Sequence, residues 1–82
     1  MTVEITATKT GKPKLTVAKG RVALKFHQDL PDEERAPYIR YAELIAAKIG
    51  EPEFTLRGKF METSILLRGG KKSYYFKLAE LC

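Results

Sequence analysis

Two runs of strand-forming residues, Ser-Ile-Leu-Leu at 64–67 and Ser-Tyr-Tyr-Phe at 73–76, flank the pair Gly69-Gly70. Both glycines can take the positive φ that a two-residue hairpin turn demands, so this stretch predicts an antiparallel hairpin and constrains everything around it. With a two-residue loop, Leu67 faces Lys72 and Ile65 faces Tyr74. Ile65, Leu67, Tyr74, Phe76 and Leu78 then share one face, and Ser64, Leu66, Arg68, Lys71, Ser73, Tyr75 and Lys77 share the other. A four-residue loop over 69–72 keeps the same partition, because side-chain direction follows register parity. One face reads as core. The other is basic and holds one aromatic ring.

The same alternation recurs upstream. Residues 2–8 place Val3, Ile5 and Ala7 on one side and Thr2, Glu4, Thr6 and Thr8 on the other, as a half-buried strand requires. A basic loop, Lys-Thr-Gly-Lys-Pro-Lys at 9–14, leads to a short strand at 15–17. Lys19-Gly20 is a tight-turn signal joining it to a strand at 21–27, with Val22, Leu24 and Phe26 inward and Arg21, Ala23, Lys25 and His27 outward. A further strand is expected at 53–60, with Phe54, Leu56, Gly58 and Phe60 inward and Thr55, Arg57 and Lys59 outward. Gly58 on an inward face signals a bulge or the close approach of another backbone, such as the Ala42/Ala46 side of a helix.

Between these strand sets lies the helical segment. Pro31 opens a preliminary turn at 31–35, and Pro37 the main helix at 37–49, which Gly50 closes with Pro52 just beyond. Asp32, Glu33 and Glu34 suit the positive end of a helix. At 100° per residue, Tyr38, Ile39, Ala42, Ile45, Ala46 and Ile49 form one apolar stripe, while Arg40, Glu43 and Lys48 lie opposite. Tyr41 and Leu44 flank the stripe, either as incidental exposed residues or as a narrow second strip for a partner. The order strand-strand-strand-helix-strand-strand-strand, with short links, predicts an α+β fold: a small two-layer domain in which one helix packs on one face of an antiparallel sheet. A more curled, barrel-like sheet is the alternative.

The 82 residues are expected to form a single domain, residues 1–82, small enough that oligomerisation, for example a homodimer, would usefully cover more apolar surface. No apolar run is long enough to span a membrane, no signal-peptide pattern opens the chain, and the single cysteine, which can form no intrachain disulfide, makes a reduced cytoplasmic setting the expectation. Cys82 is the lone cysteine, which leaves no intrachain disulfide and reads as a terminal thiol. The net charge of +5 is unevenly spread. Residues 1–28 carry six Lys/Arg against Glu4 alone, residues 29–53 three against seven Asp/Glu, and residues 54–82 six against two. If the acidic middle block packs on one side, positive charge concentrates on the other.

Enzyme signatures are absent: Gly69-Gly70 lies between strands rather than before a helix, His27 is the only histidine, and no His/carboxylate set has metal spacing. The sequence therefore predicts no catalytic residue, no metal site and no cofactor. Its strongest constellation is distributed. On a sheet whose inner face takes the helix, the outer face gathers Arg21, Lys25, Arg57, Lys59, Arg68, Lys71 and Lys77, with Tyr75 among them. Cations of this kind neutralise phosphates, and a ring between them offers a base something to stack on. Non-catalytic binding of nucleic acid, single-stranded and weakly sequence-specific, is one expectation. A protein-interaction module is the other, meeting an acidic protein through the same face, through Tyr41/Leu44 or through a strand edge. Exposed strand lysines also serve solubility and block edge-to-edge pairing.

Overall fold

The structure, a computed structural model, describes residues 3–9 and 11–81. Thr2, Thr10 and Cys82, expected in the first strand, the basic loop and at the chain end, lie outside the described residues. The first three strands are β1 (Val3–Thr8), β2 (Lys14–Ala18) and β3 (Arg21–His27), followed by the helix α1 (Asp32–Ile49). Then come β4 (Leu56–Lys59), β5 (Ser64–Gly69), β6 (Lys72–Lys77) and a four-residue turn of helix, α2 (Leu78–Leu81). The six strands form one sheet in the order β1-β3-β2-β4-β5-β6, so β1 and β6 are its two edges and the barrel alternative falls away. The result is the α+β two-layer architecture expected from the pattern.

One pairing departs from the antiparallel expectation. β1 lies parallel to β3, Val3 against Val22 and Ala7 against Phe26, while β2 pairs antiparallel with the other side of β3. The chain leaving β1 passes beyond the end of β3 before starting β2, and β3 is inserted between them. This gives β3 a neighbour on both sides and leaves its bulky trio Val22, Leu24 and Phe26 buried. β1 is left as an edge. Ile5 and Ala7 share the helix-facing side as expected, but both are exposed, Ile5 by 49%, because the helix does not reach that far.

The predicted hairpin turns differ in accuracy. Lys19-Gly20 joins β2 to β3 as read, with Ala18 opposite Arg21 and Gly20 at φ 74°. The β5–β6 turn is Gly70-Lys71 rather than Gly69-Gly70, with Gly69 paired to Lys72. Leu67 therefore faces Tyr74, and Ile65 faces Phe76. This slides β6 by two residues, which preserves both faces. Only the second glycine of the pair takes a positive φ, 59° at Gly70, while Gly69 lies within the strand ladder.

α1 is a single helix in place of a turn and a helix, running through Pro37. Pro37 is exposed, as is Glu33 four residues earlier, so the missing backbone bond opens toward solvent and the kink penalty of an interior proline is softened. Gly50, at φ 74°, closes the helix by donating its N–H to the Ala46 carbonyl at 2.9 Å. The predicted stripe faces the sheet: Ala42, Ile45 and Ala46 are buried, with Tyr38, Ile39 and Ile49 packed beside them. Tyr38 sits edge-on to Phe26 and Phe60, at centroid distances of 6.1 and 5.2 Å, and anchors the helix to two parts of the sheet. Arg35 ties the helix start to the preceding loop, donating to the Gln28 carbonyl at 3.0 Å with its guanidinium over the Phe26 ring. α2 was too short to read from periodicity; its Leu78 and Leu81 complete the buried core.

β4 begins at Leu56, later than the expected 53–60, and Phe60 joins the sheet through an isolated bridge to Ile65. Phe54, assigned inward by alternation, is therefore 49% exposed, and its ring lies against Gly70. The close approach at Gly58 is real, but its source is the Leu66 carbonyl of β5 and not the helix. Gly69 meets the Thr55 carbonyl in the same way. The two glycines let β4 and β5 come together where any Cβ would strike backbone. Gly58→Ala and Gly69→Ala are each expected to lower stability by about 1–3 kcal/mol, since backbone cannot swing aside. The check is the urea midpoint at unchanged m-value.

Candidate nucleic-acid interface

The face opposite α1 is built by parity. Leu15, Val17, Val22, Leu24, Leu56, Ile65 and Leu67 are buried under the helix, so their neighbours along each strand must point away from it. On β2 and β3 this exposes Lys14, Arg21 and Lys25 around the smaller Thr16, Ala18 and Ala23. On β4 and β5 it exposes Arg57, Lys59, Leu66 and Arg68, and on the edge strand β6 Ser73, Tyr75 and Lys77.

Register places these side chains in rows across the strands. Lys14 of β2 sits opposite Lys25 of β3 on one side and Lys59 of β4 on the other, giving three lysines abreast. One step along, Thr16 faces Arg57, which in turn faces Arg68 of β5. Facing residues in adjacent strands are only about 5 Å apart, and like charges directly opposite destabilise a sheet. The small side chains between these cations leave an open trough of about 690 Å³, lined by Lys14, Lys25, Arg21, Arg57 and Lys59 with Thr16, Ala18 and Ala23 as its floor.

Among the described residues no carboxylate forms an ion pair with a cation of the two rows. The ion pairs among the described residues are Arg21 with Glu4 at 2.9 Å, His27 with Asp29 at 3.7 Å and Arg35 with Asp32 at 3.8 Å. Among the described residues, Arg21 is thus the trough cation with an ion-pair partner, in an exposed pair of little energetic value. His27, expected at the surface, takes a turn role: its Nδ1 accepts the Asp29 N–H at 3.1 Å. Among the described residues, His, Cys, Asp and Glu side chains form no group of three that could hold a metal. No helix among them is long and apolar enough to cross a membrane.

The predicted residues therefore divide. Lys25, Arg57, Lys59 and Arg68 come together. Tyr75 and Lys77 lie on the same face, at its β6 margin. Lys71 stands in the hairpin turn, apart from the trough. Tyr41 and Leu44, weighed as a partner-binding strip, both pack partly buried against the core, Tyr41 beside Phe60 at 6.4 Å. Two residues stand closer to the centre of this surface than the sequence pattern implies. Lys14, expected in the flanking basic loop, opens β2, where the buried Leu15 and Val17 give it outward parity. Leu66, expected on the outer face, gains a role only from the register, as the direct partner of Tyr75. A second hollow, about 220 Å³ between the end of α1 and β6, mixes Glu51 and Glu53 with Lys72 and has no single sign of charge.

Comparison of the chain with models of protein families, with curated proteins and with solved structures finds no match in any of the three.

Because Lys14 is repelled from both sides, Lys14→Gln is expected to raise stability by about 0.2–1 kcal/mol at low ionic strength. The gain should shrink as salt screens the row, to little at 1 M, where the Debye length is about 3 Å. Urea unfolding of both proteins at two salt concentrations measures it.

Proposed function

We propose that this chain binds nucleic acid without catalysis, through the sheet face opposite α1, favouring single strands and depending weakly on sequence. The observation that carries the reading is the pair of uncompensated cation rows on interior strands. Edge protection does not account for them: lysines that block strand pairing belong on β1 and β6, whereas Lys25, Lys14, Lys59, Arg57 and Arg68 occupy β3, β2, β4 and β5. Cations held side by side at a cost to stability are favourable once an anion lies across them.

The position of the rows also bears on the kind of polyanion. A peptide laid across the middle of a sheet face finds no strand edge, so its backbone N–H and C=O groups would lose water without gaining partners. A nucleic-acid backbone carries charge on every unit and needs no such pairing. Lys14, Lys25, Lys59, Arg57 and Arg68 are the phosphate contacts in this reading, with Arg21 and Lys77 at the margins and Lys71 reaching from the hairpin tip.

Binding should fall steeply with salt. If the five row cations each neutralise one phosphate of a single strand, the slope of log K against log salt is about −3 to −4. Fluorescence anisotropy with a labelled oligonucleotide of about 12 nucleotides, across a salt series, gives this slope. Arg57→Gln with Arg68→Gln should flatten it by about 1.4. Absence of binding at low salt, or tighter binding of poly-glutamate than of the oligonucleotide, would refute the proposal; the second outcome would identify an acidic protein as the partner class.

A further inference from the structure

The lysine row does not end at β4. The pairs Arg57–Arg68 and Phe60–Ile65 bracket the β4–β5 register, which sets Lys59 opposite Leu66, and Leu66 is paired with Tyr75. One row thus crosses five strands as Lys25, Lys14, Lys59, Leu66 and Tyr75, spanning about 19 Å at the usual strand spacing. It changes character midway, from three cations to two exposed apolar side chains, Leu66 at 37% and Tyr75 at 59%. Resting on the nucleic-acid reading above, we infer that Leu66 and Tyr75 form a base-stacking shelf at the end of the phosphate-binding row. The ligand backbone then runs across the strands, from β3 toward β5, and delivers an unpaired base onto the hairpin.

Three features support a shelf over an incidental patch. The pair lies on the sheet face that α1 leaves open, while Tyr74 and Phe76 of the same strand are drawn against the core. Leu66 and Tyr75 directly face each other, so aliphatic and aromatic surfaces are contiguous within about 5 Å. They also continue the lysine row instead of lying off it, so a strand tracking the cations arrives there without turning. Stacking needs a free base face, which a duplex withholds until a pair is opened. The cation rows bind any phosphate backbone; the shelf supplies the preference for a single strand.

A cross-strand pair of this kind also steadies its hairpin, so the test must separate the two roles. Wild type is titrated at low salt with a single-stranded oligothymidylate, with an abasic strand of equal phosphate number, and with a duplex. The inference expects the base-bearing strand to bind about 5- to 100-fold tighter than the abasic one. Tyr75→Ser should bring the base-bearing strand down to the abasic level while leaving abasic affinity unchanged, and Tyr75→Phe should retain the difference. Equal affinity of wild type for the two strands overturns the shelf while leaving the charge-based reading in place. A Tyr75→Ser loss shared equally by both strands does the same. Failure of every strand to bind wild type removes the charge-based reading, and the shelf with it. Should Tyr75→Ser fail to fold, the wild-type comparison of base-bearing with abasic strand decides alone.

Discussion

One helix must cover one face of six strands, and most of the structure follows from that shortage. An 18-residue helix is about 27 Å long and, with side chains, about 10–12 Å across, while six strands are about 24 Å wide. α1 buries Ala42, Ile45 and Ala46 against the middle of the sheet, where Leu15, Val17, Val22, Leu24, Leu56, Ile65 and Leu67 lose their solvent contact. The margins are covered less well. Ile5 and Ala7 on β1 stay exposed, and Tyr74 and Phe76 on β6 are only partly buried. The aromatic set of Phe26, Tyr38, Tyr41 and Phe60 holds the helix in place, each ring meeting another at its edge or a tilt. Such pairs add about 0.5–1.5 kcal/mol beyond the area they bury.

The second face has no helix, so water is its default neighbour and every alternate residue must tolerate exposure. Seven of those residues are cations among the described strands, and the register sets five of them, Lys25, Lys14, Lys59, Arg57 and Arg68, in rows instead of scattering them. Opposite-charge pairs across strands would have given solubility with added stability. One such contact exists, Glu4 of β1 with Arg21, whereas Asp32, Glu33 and Glu34 lie in the first turn of α1, on the other layer, where the helix dipole favours them. Separation of charge by layer concentrates positive charge on the face that the helix leaves open.

Two glycines connect this electrostatics to the backbone. Gly58 and Gly69 let β4 and β5 approach closely enough to pair, which brings Arg57 opposite Arg68 and Lys59 opposite Leu66. Without that junction the basic rows of β2–β4 and the aromatic margin of β5–β6 would belong to separate ribbons. The site is therefore a property of the whole sheet.

Much of this was legible in the residues. Parity within each strand determined which side chains go in and which go out, and it did so without knowledge of neighbours, because successive side chains in a strand alternate by geometry alone. Parity also gave the two hairpins their correct faces even where the β6 register was off by two, and the 100° step of a helix gave the stripe on α1. What parity leaves open is which strands lie side by side. The parallel placement of β1, the late start of β4, the exposure of Ile5 and Phe54, and the partial burial of Tyr41 and Leu44 all depended on contacts between segments far apart in the chain. So did the rows themselves. Lys14, Lys25 and Lys59 are ordinary exposed lysines when taken singly; only pairing between strands, decided by which faces the helix could bury, made them neighbours and carried their row on to Leu66 and Tyr75.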